Sequence, residues 1–253
     1  MKYILFIVMI PVVFWGCSGA LDTTNMTPEE KLKYAIDLYN DEDYEEAVNE
    51  LQAIILQYPG NAVVDDAQYY LGMTRYQRGE YILAGYEFSK LIKNMTASEY
   101  IPIAQFMLAE CYYLLSPNFN LDQRYTKKAI EEYQAFIDFF PTNEKVQEAE
   151  SKITELNEKL AQKEFSDALI YEKLEYYTAS LLYYTNIIEV YHDTRYAPMA
   201  MYNKIVLLID RDRNAEALTE IDKFLSRFSN DSRVEDVRNL KISIEGKLSA
   251  SNQ

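Results

Sequence analysis

The stretch Pro28–Pro59, PEEKLKYAIDLYNDEDYEEAVNELQAIILQYP, decides the fold. It carries Tyr34-Ala35 and Leu38, then Asp43-Tyr44-Glu45-Glu46-Ala47, then Leu51, Ile54 and Tyr58-Pro59. The apolar residues recur at spacings of three and four on both sides of an acidic break, which reads as two short helices joined by a turn. Small residues at Ala35 and Ala47 allow the two helices to approach closely, Tyr44 packs at the turn, and Pro59 stops the second helix.

The pattern repeats along the chain. A second copy runs through Leu71-Gly72, Gly79-Glu80-Tyr81, Ala84, Phe88 and Leu91, and Ala84 lies 37 positions after Ala47, against the 34 typical of tetratricopeptide helix pairs. A third begins at Pro102, with Leu108-Ala109 and Tyr112, then Ala129, Tyr133, Phe136 and Phe140-Pro141. Its turn is enlarged by residues Ser116 to Arg124, which should protrude at one edge of the stack. Asn143 to Lys163 holds no Gly or Pro, and Val146, Ala149, Ile153, Leu156 and Leu160 give it helical spacing, so it reads as one long connecting helix. A fourth pair runs through Ala168, Tyr171, Tyr177, Ser180, Tyr184, Ile187 and Tyr191, and a fifth through Ile205, Leu208, Ala217, Ile221, Phe224 and Phe228. Ser232 to Leu248 supplies the capping helix that a terminal repeat requires. The expected fold is all-α, a right-handed α-solenoid of about five tetratricopeptide-like pairs with a C-terminal cap.

Ahead of the repeats lies a different kind of segment. Met1 to Gly16 has one early charge, Lys2, and an apolar run from Tyr3 to Trp15, followed by Gly16-Cys17-Ser18-Gly19. A short charged region, an apolar core and small residues at the cut describe an export signal, too short for a spanning helix. Residues 1–16 are thus expected to be a lipoprotein signal peptide, 17–27 a tether lipidated at Cys17, 28–142 repeats one to three, and 143–253 the long helix, repeats four and five and the cap. Ser18 is not the aspartate that would suggest retention at an inner membrane.

Composition excludes several functions. The 253-residue chain is 49% hydrophobic with seven Gly and seven Pro, enough for a large helical core and too few breakers for many β-turns. The net charge is −15, and losing Lys2 with the signal makes it about −16. Such a surface repels nucleic acid, and no basic stripe offsets it. Cys111 is the only cysteine besides Cys17, so no disulfide is expected, and its apolar neighbours suit a buried thiol. His192 is the only histidine and lies near a helix end. No phosphate loop, dinucleotide fingerprint, EF-hand or paired-cysteine zinc motif occurs, so neither cofactor, metal nor catalytic residue is expected.

One ordered set of residues is similar to a known family. Leu160-Ala161-Gln162-Lys163-Glu164-Phe165-Ser166-Asp167-Ala168-Leu169-Ile170-Tyr171 resembles the Leu-Ala-x-x-Glu-aromatic-Ser-x-Ala-x-x-Tyr segment of the BamD family, lipoproteins of outer-membrane β-barrel assembly. Tyr191-His192-Asp193-Thr194 stands where that family has Tyr-Pro-Asp-Thr, with His192 in the place of the helix-stopping proline, and a softer helix stop is expected there. The resemblance implies a lipid-anchored, periplasm-facing scaffold at the outer membrane. It also implies C-terminal repeats that bind the POTRA portion of the barrel-forming subunit BamA, and N-terminal repeats that receive unfolded outer-membrane proteins.

Register along the first helices names the candidate groove: Leu32, Ile36 and Tyr39; then Tyr69, Met73 and Tyr76; then Phe106, Glu110 and Tyr113. Aromatic faces with polar tips, and an adaptable Met73, suit an extended apolar peptide, although the same side chains also serve packing between repeats. Tyr183-Tyr184 is the candidate partner interface. Two other readings stay open: a different lipidated repeat adaptor of the cell envelope, or a glycan-binding lipoprotein. Replacing Cys17→Ala should yield protein that lacks the mass of the acyl chains and leaves the membrane fraction. Membrane retention at unchanged mass would sink the lipid-anchor assignment.

Overall fold

The computed structural model describes residues 25–251, with side-chain exposures through Ser249; Cys17 and the signal segment lie outside the described residues. Every regular element among them is a helix. Helices α1 (Pro28–Asn40) and α2 (Tyr44–Gln57), α3 (Val63–Gln77) and α4 (Tyr81–Asn94), and α5 (Ile101–Leu115) and α6 (Arg124–Phe139) form three antiparallel pairs. Then follow α7 (Val146–Lys173), α8 (Tyr177–Val190), α9 (Tyr196–Asp210), α10 (Asn214–Arg227) and the terminal α11 (Val234–Ser251). Each helix packs most heavily on its chain neighbours, the arrangement of an α-solenoid.

The stack begins with a capping box. The Thr27 hydroxyl accepts from the Glu30 amide (3.2 Å), the Glu30 carboxylate accepts from the Thr27 amide (2.9 Å), and Pro28 occupies the first helical position, where no N–H is needed.

Inside each pair the contact is set by small residues. Ala47, Ala84, Ala129, Ser180 and Ala217, one on the second helix of each pair, are all fully buried. Opposite them in the first two pairs stand Ala35, also fully buried, and Gly72, where a Cβ would fall 2.6 Å from the ring of the buried Phe88. Pairs two and three carry the same polar clamp across this contact: Gln68 donates to both the backbone carbonyl (3.1 Å) and the carboxylate (2.8 Å) of Glu87, and Gln105 does the same to Glu132 (3.2 and 2.8 Å). In pair five Lys204 and Glu220 meet at 3.3 Å instead. The buried amide nitrogens of Gln68 and Gln105 are therefore partnered where they lock two helices in register.

Two kinds of turn recur. Between the helices of a pair, one residue takes the left-handed conformation: Glu42 (φ 64°), Gly79 (φ 74°), Glu175 (φ 63°) and Asp212 (φ 58°). Between pairs, the residues Tyr58, Met95, Phe140, Tyr191 and Phe228 end a helix and accept, on their carbonyls, the amides of Asn61, Ser98, Asn143, Thr194 and Asp231. His192 does not soften its helix stop, because Tyr191 still closes on Ile187 (3.0 Å) and Thr194 on Tyr191 (3.1 Å). Backbone closure, rather than the proline ring, ends that helix.

The third pair lacks the left-handed turn. Its connection, 116–123, is organised from within by Gln123, only 6% exposed, whose amide nitrogen lies within 3.2 Å of the carbonyls of Asn118, Phe119 and Leu121. The loop is tied back to α7 by the Lys159 ammonium on the Ser116 hydroxyl (2.9 Å).

Three hydrophobic clusters succeed one another along the stack. The 28-residue α7 enters two of them, with Ala149 and Leu156 in the second and Ala161 and Ala168 in the third. The connecting helix and the first helix of the fourth pair are thus one continuous element, since nothing between Lys163 and Lys173 breaks it. Gly72→Ala is expected to cost about 1–3 kcal/mol through overpacking against Phe88, whereas Glu175→Gly, which relieves a left-handed backbone, gains up to about 1 kcal/mol. The urea unfolding midpoint is expected to fall for Gly72→Ala and to rise for Glu175→Gly; midpoints that move together, or each in the reverse direction, would contradict this account.

Candidate peptide and partner interfaces

The N-terminal tyrosines form a connected wall. Ring centroids step from Tyr44 to Tyr39 (6.0 Å), Tyr39 to Tyr70 (5.7 Å), Tyr70 to Tyr69 (5.4 Å) and Tyr69 to Tyr100 (4.3 Å, 12° between planes). The Tyr100 hydroxyl donates to Asp66 (2.7 Å), which pins the far end. Tyr70 and Tyr100 were not among the residues picked from the sequence. Tyr70 is the second member of a tyrosine pair, and Tyr100 precedes the helix that it buttresses.

The candidate groove residues have unequal fates. Leu32 packs against the first core cluster, Met73 against the second, and Ile36 is half-buried. Tyr39, Tyr76 and Tyr113 are half-buried, each reaching toward the next repeat: Tyr39 meets Tyr70, Tyr76 lies near Glu110 and Cys111 and against Tyr81 (5.5 Å), and Tyr113 meets α7. Phe106 is not a groove residue. It is 2% exposed and set edge-on between Tyr133 (5.7 Å) and Phe136 (5.3 Å), because its position on α5 faces the partner helix α6.

Around Tyr113 the wall becomes polar. Its hydroxyl lies 2.8 and 2.9 Å from the two oxygens of Glu155, and the Lys152 ammonium sits 3.6 Å from its ring centroid. Lys152 also reaches Glu110 (3.9 Å), which accepts from the Tyr133 hydroxyl. Burial, reinforced by Glu110 for Tyr76 and by Glu155 for Tyr113, pushes both phenols up to about 12. At neutral pH they are O–H donors on an aromatic face. Burial likewise pushes the Cys111 thiol up to about 12, so it is a core side chain without thiolate character.

The C-terminal pair also divides. Tyr184 is fully buried, donates to Glu172 (2.9 Å), accepts from Asn203 (3.3 Å) and packs on Phe165 (5.9 Å), so it belongs to the core instead of an interface. Tyr183 stacks on Tyr171 (5.3 Å, 19°) and lines a cleft of about 730 Å³ beside Arg124, Lys127 and Lys163. A second cleft, of about 860 Å³, opens where the end of α7 meets α8, α9 and α10. Tyr171, Tyr176 and Tyr177 line it, with Leu182 (69% exposed), and Leu174 (57% exposed) continues the apolar surface nearby. Large aromatics around exposed leucines are the composition of a docking surface. His192 lies on an exposed turn with Asp193 at 3.3 Å. Among the described residues, no His, Cys, Asp or Glu side chains converge into a metal-binding group, and no helix is long and apolar enough to cross a membrane.

The frame matches a known one from the first repeat to the end of α9. The profile of the YfiO family, outer membrane lipoproteins, aligns with residues 24–209. The chain belongs to the YfiO family. Its curated relatives include an outer membrane protein assembly factor BamD of Rickettsia prowazekii, 24% identical over 206 residues, covering 81% of this chain and 82% of the relative. A second, from Caulobacter vibrioides, bears the same name and is 23% identical over 215 residues, covering 83% of this chain and 70% of the relative. Among solved structures, a tetratricopeptide repeat protein from Parabacteroides merdae is 18% identical, covers 88% of this chain and 75% of its own, and superposes with a TM-score of 0.38. The YfiO match spans the tyrosine wall, Tyr183 and most of the lining of the larger cleft.

Because the folded chain holds Tyr76, Tyr113 and Tyr184 near 12, above the ordinary tyrosine value of 10.0, the unfolded chain loses these protons first. Stability is therefore expected to be independent of these groups below about pH 10 and to fall as pH rises from 10 toward 12. Urea midpoints at pH 8, 10 and 11.5 test this, and a flat profile to pH 11.5 would contradict it.

Proposed function

We propose that the protein is a lipid-anchored, periplasm-facing scaffold of the outer-membrane β-barrel assembly complex that binds and makes no bonds. Cys17 carries the anchor. The N-terminal repeats dock segments of unfolded outer-membrane proteins, and the C-terminal repeats bind the POTRA portion of the barrel-forming BamA-like subunit. The observation that carries this reading is the alignment of the repeat frame from α1 to the end of α9 with a family of outer membrane lipoproteins; curated relatives of the chain are named assembly factors.

The geometry supports the division of labour. Strands of outer-membrane barrels alternate apolar and polar residues. A row of half-buried phenols offers ring faces to the first and hydrogen bonds to the second. Tyr39 and Tyr76 present that chemistry in successive repeats, and Tyr113 adds the Lys152 and Glu155 charges. The larger C-terminal cleft, with Tyr176 62% exposed beside Leu174 and Leu182, suits a folded domain better than an extended strand, because its apolar residues cluster on the α7–α8 turn and α8 instead of forming a row across successive repeats.

Depletion of the protein is expected to lower many outer-membrane barrels together while other lipoproteins stay constant in the membrane proteome. In the undepleted background, the Leu174→Asp, Leu182→Asp double variant should retain its helicity by circular dichroism yet lose at least tenfold in co-purification with the barrel subunit. Barrels unaltered on depletion would overturn the assembly role, and undiminished co-purification would remove the C-terminal cleft as the partner site.

A further inference from the structure

The outer face of the first three repeats has a pattern that neither the peptide wall nor the C-terminal cleft uses. On α4, Ile82 (60% exposed), Leu83 (45%) and Tyr86 (61%) form an apolar patch at helical spacings of three and four, with the Lys90 ammonium 5.5 Å from the Tyr86 ring centroid. The buried alanines Ala47, Ala84 and Ala129 fix the repeat register, so the residues level with Ile82 and Leu83 are Glu45 and Glu46 on α2 and Lys127 and Lys128 on α6. An apolar centre thus has an acidic bank on one side and a basic bank on the other, at one height along the helix axes. Among the described residues, Glu45 and Glu46 take part in no intrachain ion pair; Lys127 makes no close ion pair either, although it also borders the Tyr183 cleft within electrostatic reach of Glu164 and Asp122, and Lys128 rests over the Tyr112 ring (5.1 Å).

We propose that this face pairs with the same face of a second copy of the chain. Two identical faces meet through a two-fold axis lying in their common plane. An axis across the helices would set acidic bank on acidic bank and basic on basic. An axis along α4 sets the α2 of one copy over the α6 of the other, so Glu45 and Glu46 meet Lys127 and Lys128 twice, while Ile82 and Tyr86 meet their own counterparts. Self-complementarity selects the second copy over an unrelated partner, since both banks are satisfied at matching height without any other protein. The apolar centre is only three side chains and the face is convex, so the contact is a weak one. Confinement of the chain to a membrane raises its effective concentration enough to populate such a pair. A molecule with net charge −15 would otherwise repel its copy, which makes the opposed banks necessary for association.

The test uses the full chain in intact membranes, with a single cysteine added at Tyr86→Cys and oxidised briefly with copper phenanthroline. Cys111 is fully buried and Cys17 is taken up by the proposed anchor, the reading on which this membrane test rests, so neither competes, and the parent chain without the added cysteine serves as blank. A product of twice the chain mass is expected at least tenfold above that from Leu56→Cys, a 79% exposed position off the axis. Adding E45K and E46K should cut that product at least fivefold, and adding K127E and K128E to the same chain, which exchanges the two banks, should restore it; circular dichroism confirms that each variant is helical. A Tyr86→Cys yield no greater than that of Leu56→Cys, a crosslinked product of any other mass, or a yield indifferent to E45K and E46K would overturn the proposal.

Discussion

Close approach of helices at small residues is the constraint on which the rest depends. A buried alanine or serine stands on the second helix of every pair, and Gly72 touches the Phe88 ring so closely that even a methyl group has no room. That proximity brings the Gln68–Glu87 and Gln105–Glu132 clamps within hydrogen-bonding distance. It also sets the repeat pitch, and the pitch brings Tyr39 against Tyr70 and Tyr69 flat against Tyr100. With larger side chains at the crossings the pairs would splay and the tyrosine wall would open into separate rings. Packing inside the stack and chemistry on its surface are therefore one problem.

The wall and the cleft use aromatic residues differently. In the N-terminal repeats the rings bridge one repeat to the next, so binding strength and stack rigidity draw on the same contacts. At the C-terminal cleft, Tyr176, Leu174 and Leu182 spend little of their surface on the fold and remain available. Surfaces of the first kind suit repeated, transient contact with many extended sequences; surfaces of the second kind suit one stable partner.

Architecture was readable from sequence because helix pairs recurring 37 residues apart at Ala47 and Ala84, an alanine in each copy and an aromatic closing every pair but the second, which ends on Met95, are local signals. The same repetition located the enlarged turn of the third pair. Side-chain direction was not readable, because adjacent tyrosines on a helix differ by about 100° and the sequence does not say which faces inward. Hence Tyr184 lies in the core while Tyr183 lines a cleft. Phe106 and Tyr113, seven residues apart and so on nearly one face of α5, meet different elements, α6 and α7, because those helices pass over different ends of that face. The partners of Tyr113, Lys152 and Glu155, sit about forty residues away on another element, beyond the reach of any periodicity. His192 shows the opposite limit: the expected proline is missing, yet backbone hydrogen bonding alone closes the turn.

The shared helix α7 has a consequence for how such a chain can change over time. Its 28 residues contribute to two cores without a break, so one inserted residue would turn everything beyond it by about 100° and advance it by about 1.5 Å. Repeats four and five would then face another direction relative to the tyrosine wall. The loop at 116–123, by contrast, lies between helix ends and absorbs added length without rotating either neighbour. Variation in length is thus permitted at the third turn and forbidden in the long helix, which acts as the molecule's fixed angular reference.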